Sequence, residues 1–437
     1  MNDIPGPRAG VLCAGTILVD VGKVIDAYPV LDHLATIEQV SLSTGGPGLN
    51  MAVDLRMLGA TFPIGMLGTV GEDEHAAFIL AECARLGIDT TGVRTLVGAV
   101  TSFTDAMIER DGGRRTFFHH SGANALFDAS TADMQSSRAR MLHAGAPGIH
   151  RVMDSPLPGD GNGWSALLQR AQAAGLHTNL ELVSLTPGRT AEVALPCLPH
   201  LDSIVINELE AGALTGIDAP VPTACGPVDW PALEAMALGM IERGVSVLAV
   251  VHFPAGCVAA APGGRTWRQG SVRLPREQVR STTGAGDAFA AGIILGLHER
   301  WPVERCLQLG VASAAACVRS PNTSDGIKPA ETCLAEADRA GYRQPGMGYG
   351  RWHEALRQLP TATPPPRSCS ATHPRRRPQH RLRARGQRLA GTQPPRRIPR
   401  DPLARSLRTC RTAREIRVAR RAHRGPSCAC RESRPTL

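Results

Sequence analysis

Short apolar segments alternate with helix-like segments along most of the chain. The pattern begins with the apolar run Val11 to Val19 and continues with Asn50 to Leu58, where Met51, Leu55 and Leu58 fall on one helical face. Such alternation predicts an α/β fold in which a mostly parallel central sheet is flanked by helices. Further buried-strand candidates are Ile64 to Leu67, Ser203 to Ile206 and Val245 to Val251.

One segment departs from this alternation. Thr101 to Glu109 and Arg114 to His120 flank Asp111-Gly112-Gly113, and Asp-Gly at a turn is a strong β-hairpin signal. Two strands alone are marginally stable in water, so this hairpin must pack on something else. The pattern predicts a small two-stranded β projection at about residues 100–120. It could be a lid over a substrate or an inert surface hairpin.

The charge is unevenly distributed along the 437 residues, whose formal net charge is +9. From Arg351 onward there are 23 arginines, no lysine and 4 acidic residues, which leaves 25 basic and 35 acidic residues before that point. The body of the chain is therefore acidic, as is ordinary for a metabolic enzyme. Its charge does not indicate a nucleic-acid partner.

Residues 345–437 are predicted to form a disordered Arg/Pro-rich tail, because their composition supports no apolar stripe of either period. Two explanations stay open: an Arg-rich arm that binds polyanions, and out-of-frame translation of a GC-rich coding sequence. We favour the second, because the fold-like pattern stops near Gly348. Nucleic-acid binding is not expected, since no aromatic residue follows Trp352 and no known binding module is present.

Cysteine usage and the chain start bear on the compartment. Eight of the 12 cysteines are scattered singly through the body at no metal-ligand spacing, which suits a reducing environment. The segment Asn2 to Gly10 is polar and Pro-rich, and no apolar run is long enough to cross a membrane. These features predict a cytoplasmic protein without a membrane partner.

The strongest chemical signal is the glycine-rich run Ser281 to Gly292, which leads into a helix. Such a turn presents backbone N–H groups and the positive end of the helix dipole, which suit a phosphate. Asp287 in the first turn would repel this anion unless it accepts a proton from an attacking hydroxyl, as in phosphoryl transfer. A simple helix cap is the other explanation for an Asp here.

This run closely resembles the C-terminal signature of the ribokinase-like (PfkB) carbohydrate kinases. The run Gly45 to Ala52, with Leu58-Gly59-Ala60, resembles the N-terminal signature of the same family, and Asn207 to Glu210 resembles its Asn-x-x-Glu motif. Two long signatures in the right order are hard to obtain by chance. The resemblance spans roughly residues 10–335 and implies a ribokinase-like sugar kinase domain over residues 10–340.

The resemblance implies ATP-dependent phosphorylation of a hydroxyl group on a small sugar or sugar derivative, with Asp287 as the catalytic base. The residues implied to form the anion hole for the ATP phosphate are Thr283, Gly284, Ala285 and Gly286. The residues implied to hold sugar hydroxyls are Asp20, Gly45, Gly46 and Asn50, with Asn124 as a weaker candidate. Asp20 could instead be a turn residue, and Asn50 a helix cap.

The resemblance also implies a role for Asn207 and Glu210 at Mg²⁺, acting through its bound waters, which suits the preference of this ion for oxygen. A capped helix start with a surface Glu is the alternative. The hairpin would belong to the lid, which in this family can double as a homodimer contact. Lys23 and Lys328 are the only lysines, and neither belongs to a Walker-type phosphate loop.

Two departures from the family pattern affect the nucleotide side of the site. After the strand near the nucleotide only Gly256 matches with certainty, and His252 could contact the nucleotide or be structural. Ser281 stands where many members carry an Asp that helps to bind a monovalent cation. Because a hydroxyl is a poorer ligand for a hard cation than a carboxylate, we expect weaker potassium dependence than in members that retain the acid.

Two other functions remain open on the same fold. A nucleoside kinase would need aromatic side chains to stack on the base, and aromatic residues make up only 4% of the chain. A catalytically silent sugar or nucleotide sensor is the second alternative, since a fold does not determine function. The intact Gly-Ala-Gly-Asp run argues against the sensor.

Overall fold

The computed structural model describes residues 8–110, 115–159, 161–218 and 228–345. The strands are β1 (Val11–Gly15), β2 (Leu18–Ile25), β3 (Ile37–Gly45), β4 (Ile64–Val70), β5 (Asp89–Thr95), β6 (Phe103–Glu109), β7 (Arg115–His120), β8 (Met141–Gly145), β9 (Pro156–Leu157), β10 (Gly161–Asn162), β11 (His177–Glu181), β12 (Ser203–Asn207), β13 (Leu248–Phe253), β14 (Gly256–Ala261) and β15 (Arg265–Gly270). The α-helices are α1 (Pro47–Met57), α2 (Glu74–Arg85), α3 (Gly163–Ala173), α4 (Pro187–Ala194), α5 (Glu208–Thr215), α6 (Trp230–Glu242), α7 (Ala285–His298), α8 (Val303–Cys317) and α9 (Ala330–Ala340).

The main sheet has nine strands within the described residues, in the order β15-β14-β13-β12-β11-β8-β1-β4-β5. Reading this order from β5 to β13, each pair of adjacent strands is parallel. Strands β14 and β15 then add an antiparallel edge. The strand order reverses at β1, because β4 lies on one side of it and β8 on the other. In open α/β sheets such a reversal places the ligand site at the carboxyl edge of the strands.

Helices cover the main sheet in two groups, each with its own apolar core. One core contains residues of α1, α2, α7, α8 and α9, with Phe289 among its large side chains. The other contains residues of α3, α5 and α6, with Trp164 fully buried. The predicted mostly parallel sheet flanked by helices is confirmed.

A second sheet has four strands in the described part of the chain, in the order β3-β2-β6-β7, and we call it the lid sheet. The predicted hairpin is present as β6 and β7, which pair antiparallel, while residues 111–114 of its turn lie outside the described residues. The hairpin is not the two-stranded projection that we expected, because β2 pairs with β6 and β3 with β2. Backbone pairing with β2 supplies the packing that an isolated hairpin lacks.

Two predicted strands have different bounds in the structure. The apolar run Val11 to Val19 is split between β1 of the main sheet and β2 of the lid sheet. The chain changes direction after Gly15, whose φ of 122° is a conformation that glycine adopts without a Cβ clash. The strand expected at Val245 to Val251 begins only at Leu248.

Helix α1 begins at Pro47, three residues before the predicted start, and Met51 and Leu55 are fully buried as expected. No helix among the described residues is both long and apolar enough to cross a membrane. The predicted tail falls almost entirely outside the described residues.

Candidate active site

A cavity of about 560 Å³ lies at the carboxyl edge of the main sheet, between that edge and one face of the lid sheet. Asn207 at the end of β12 and Glu181 at the end of β11 line it from the main sheet. The lid sheet contributes side chains that alternate along the strands and therefore share one face. These lid residues are Asp20, Thr104, Phe117 and His119.

The first turn of α7 lines the cavity. Gly284 is the N-cap of this helix, with φ 80°, and Asp287 lies in the first turn. A Cβ on Gly284 would approach the Thr323 carbonyl oxygen to 2.8 Å, so both conformation and space require glycine here. Thr283, Gly284, Gly286 and Asp287 line the cavity. The N-terminus of α7, which begins at Ala285, thus directs its amide groups and dipole toward this space.

Asp287 is held by a residue from α1. The Asn50 Nδ2 atom donates a hydrogen bond of 2.6 Å to Asp287 Oδ2. Asn50 is buried, and its Oδ1 atom has no hydrogen-bond partner among the described residues. The amide nitrogen therefore orients the carboxylate, while the amide oxygen is buried without a partner among the described residues.

Asp20 and the glycines that precede α1 are brought together on the lid side. A Cβ on Gly45 would lie 2.4 Å from Asp20 Oδ2, and a Cβ on Gly46 would lie 2.7 Å from the Thr16 methyl carbon. Burial, together with the Asp287 carboxylate, raises the pKa of Asp20 to about 7. The glycines allow the carboxyl group to sit tightly against the backbone at the cavity wall.

Asn207 and Glu210 form a reciprocal capping box at the start of α5. The Asn207 Oδ1 atom accepts from the Glu210 backbone N–H at 2.9 Å, and Glu210 Oε2 accepts from the Asn207 backbone N–H at 3.1 Å. The capped helix start is therefore present, but Glu210 is only 5% exposed and lines the cavity. Burial raises the pKa of Glu210 to about 7 against the lowering effect of its hydrogen bonds with Asn207.

Two buried carboxyl groups near Asp287 were not identified from the sequence. Glu181 lines the cavity, and burial followed by the nearby Asp287 carboxylate raises its pKa well above the usual range. Asp54 lies one helical turn after Asn50 and accepts a 2.5 Å hydrogen bond from Ser324 Oγ. Burial raises its pKa as well. No sequence pattern marks Glu181, because its strand β11 has the mostly polar sequence His-Thr-Asn-Leu-Glu.

Four predicted site residues do not line the cavity: Gly45 and Ala285, which are chain neighbours of residues that do, and Asn124 and Gly256. Asn124 is fully buried. Its Oδ1 atom accepts from the Ile17 backbone N–H at 3.3 Å, and its Nδ2 atom donates to the Ile17 carbonyl oxygen at 3.0 Å. Gly256 lies in the hairpin between β13 and β14. Neither residue lines the cavity. Asn124 supports the connection between β1 and β2, which carries Thr16 into the cavity wall.

His252 lines the cavity from β13, beside the α7 turn. Its ring packs on Phe289 with centroids 5.0 Å apart, and a Cβ on Gly286 would lie 3.4 Å from its Cε1 atom. Burial lowers the pKa of His252 to about 4, so the ring is neutral near pH 7. The ring supports the turn sterically without adding charge.

Comparisons with known proteins identify a family and a fold. A family model described as pfkB family carbohydrate kinase matches residues 9–330. The ATP-dependent ribose-1-phosphate kinase of Halopiger xanaduensis is 26% identical over 326 residues, covering 72% of this chain and 96% of that protein. The probable fructokinase-7 of Arabidopsis thaliana is 27% identical over 334 residues, covering 73% and 89%.

Solved structures share the fold. The Arabidopsis thaliana ribokinase, solved in complex with ribose and ATP, superposes with a TM-score of 0.61 at 21% identity, covering 76% of this chain and 99% of that one. The Giardia lamblia ribokinase gives a TM-score of 0.62 at 18% identity, covering 76% and 100%. The predicted ribokinase-like fold is confirmed.

Proposed function

The chain belongs to the pfkB family of carbohydrate kinases, and we propose that it transfers the γ-phosphate of ATP to a hydroxyl group of a small sugar or sugar derivative. One observation carries this proposal. The Asp287 carboxylate lies in the first turn of α7, in a cavity, with Asn50 holding it at 2.6 Å. A carboxylate beside an anion-binding helix N-terminus is what proton removal and phosphate stabilisation together require.

In this proposal Asp287 is the general base for the acceptor hydroxyl. The proton passes to the Asp287 carboxylate as the oxygen attacks the γ-phosphorus, and the bond to the bridging oxygen breaks with its electron pair leaving on ADP. The backbone amides of the Gly284 to Gly286 turn, flanked by the Thr283 hydroxyl, stabilise charge on the transferred group. Asp20, Asn50 and the turn at Gly45 and Gly46 hold other hydroxyls of the acceptor.

The donor set at the start of α5 suits Mg²⁺. Asn207 and Glu210 both line the cavity, and because the Asn207 Oδ1 atom already accepts from the Leu209 and Glu210 backbone N–H groups, the Glu210 carboxylate is the main oxygen donor of the pair. Such a set fits an ion that keeps most of its waters and binds to phosphates. Mg²⁺ held there through water would neutralise charge on the phosphates of ATP.

A nucleoside acceptor is the second candidate. Phe117 and His119 of the lid sheet both line the cavity and could stack on a base. Phe117 is 52% exposed, so its ring is accessible to a ligand. The acceptor panel described next separates this candidate from a sugar kinase.

The test is an ADP-release assay on the full chain with pentoses, hexoses, keto-deoxy sugar acids and nucleosides as acceptors. We expect turnover on one class and its loss in Asp287→Asn, with Asp338→Asn of α9 as the matched control. Turnover that survives Asp287→Asn would refute the assignment of the base. ATP binding without turnover on any acceptor would instead support a catalytically silent sensor.

We also propose that the lid sheet forms a homodimer contact. Its face away from the cavity exposes Val40 to 58%, Leu42 to 48% and Phe118 to 58%. Burial of these side chains against a second copy would stabilise the dimer by the hydrophobic effect. Sedimentation velocity should show a dimer that Leu42→Glu dissociates, while the exposed Leu157→Glu leaves it intact. A monomeric parent protein would contradict this proposal.

A further inference from the structure

Arg115 of β7 connects the lid sheet to the turn before α7. Its Nη1 atom donates to Ser281 Oγ at 2.9 Å and to Thr283 Oγ1 at 2.8 Å, and its Nη2 atom donates to the Pro321 carbonyl oxygen at 3.4 Å. Arg115 lies on the same lid face as Phe117 and His119, which line the cavity. The guanidinium group is therefore placed beside Gly284 by a strand from the opposite wall.

All three acceptors that hold this guanidinium group are neutral. No carboxylate in the described part of the chain forms an ion pair with Arg115, although other cations of the lid, such as Lys23 with Asp105, are paired. A guanidinium group has five N–H donors, so contacts with Ser281, Thr283 and Pro321 leave donors for a further acceptor. The positive charge lies at the anion-binding turn without an anionic protein partner.

Acidic side chains predominate among the charged residues that line the cavity. The described residues that line it include Asp20, Glu181, Glu210 and Asp287 but no lysine or arginine. A triphosphate entering this space would meet the Asp287 carboxylate and, near pH 7, the partly ionised Asp20 and Glu210, while the helix dipole supplies only partial positive charge. Arg115 does not itself line the cavity, but it contacts Thr283, which does, so its guanidinium group lies next to the proposed phosphate position.

We propose that Arg115 binds the transferred phosphate and couples lid position to that contact. This inference rests on the proposed phosphate site at α7. The flat guanidinium group pairs with two phosphate oxygens at once, which a single ammonium group cannot do. Because β7 carries Arg115 on the cavity face of the lid sheet, the charge reaches the phosphate only when the lid covers the site. Arg115 thereby discriminates ATP from ADP.

The test uses the full chain with Arg115→Ala and Arg115→Lys. Arg94→Ala of β5 is the matched control, since Arg94 also donates to a backbone carbonyl, that of Asp128 at 2.7 Å. Dissociation constants of Mg·ATP and Mg·ADP are measured by titration calorimetry, without an acceptor. We expect Arg115→Ala to reduce the ratio of ADP to ATP dissociation constants about tenfold, as the loss of one charged contact predicts. The ratio should be unchanged in Arg94→Ala.

A second measurement separates phosphate binding from a purely structural latch. Turnover of Arg115→Ala should fall by about 10²-fold, and added guanidinium ions should restore part of it in Arg115→Ala but not in Asp287→Asn. Arg115→Lys should keep only part of the ATP preference. Equal loss of ATP and ADP affinity without guanidinium rescue, or parent-like behaviour of both Arg115 variants, would overturn the inference. Absence of turnover in the parent protein would count against the proposed kinase reaction instead.

Discussion

The Asn50 amide and the Asp287 carboxylate join the first turns of α1 and α7 through a 2.6 Å hydrogen bond. Residues of both helices belong to the same apolar core, so the two turns are fixed relative to one another by packing. The candidate base is therefore oriented by a residue 237 positions away in the chain. A small change at either end should affect the reaction more than the fold.

Replacing Asn50 by Ala tests this orientation. The substitution removes the donor to Asp287, so the carboxylate is no longer oriented to accept the proton of the attacking hydroxyl. We expect kcat/KM for the acceptor to fall by about 10²-fold. The Kd for Mg·ATP, measured by titration calorimetry, should stay unchanged. An unaltered kcat/KM would show that packing alone positions the Asp287 carboxylate.

Gly45→Ala tests the close approach between the α1 entry and the lid sheet. The added Cβ would lie 2.4 Å from Asp20 Oδ2 and 2.5 Å from Leu18 Cδ1, so Asp20 must move. We expect a higher KM for the acceptor and little change in ATP affinity. Gly188→Ala in α4 is the control, because its Cβ meets nothing within 4 Å and Ala favours helix by about 1 kcal/mol. Equal KM values in the two variants would contradict this prediction.

Asp20 should make folding stability depend on pH. Its folded pKa of about 7 lies above the unfolded value of 3.8, so between these limits the folded state binds more protons than the unfolded state. The free energy of unfolding should therefore decrease as pH rises from about 4 to about 7. Asp20→Asn should make this decrease smaller, as measured by urea unfolding at a series of pH values. Identical pH dependence in both proteins would exclude a raised pKa at Asp20.

Potassium should activate the enzyme weakly. Ser281 Oγ accepts hydrogen bonds from Arg115 at 2.9 Å and from the Thr283 N–H at 3.1 Å, so its lone pairs are already engaged. A hydroxyl is also a poorer ligand than a carboxylate for a hard cation. We expect similar kcat in potassium chloride and choline chloride at equal ionic strength. Strong, specific activation by potassium would contradict this prediction.

Local patterns of the sequence were sufficient for the helix N-terminus that carries Asp287. A glycine-rich turn that enters an apolar helix is specified by neighbouring residues, so Gly284 as the N-cap could be expected without the fold. The capping box at Asn207 and Glu210 is similarly local. The alternation of apolar runs was enough for the parallel sheet and its helical layers.

Other features depend on contacts between distant segments. The run Val11 to Val19 looks continuous, yet it is divided between two sheets because Gly15 turns the chain. The partnership of β2 with β6 depends on backbone pairing that no local pattern records. Glu181 and Asp54 have unremarkable sequence neighbours, and only burial beside Asp287 reveals them.

The sequence by itself determined the alternation of strands and helices and the residue types of the glycine-rich turn before α7, because these depend on periodicity and local backbone geometry. The tertiary structure decided which side chains meet there. Asn50 reaches Asp287, and Arg115 reaches Ser281 across 166 positions of the chain, because the lid sheet and α1 converge on α7. Charge and burial act through space, so the electrostatics of the site appear only once the chain is folded.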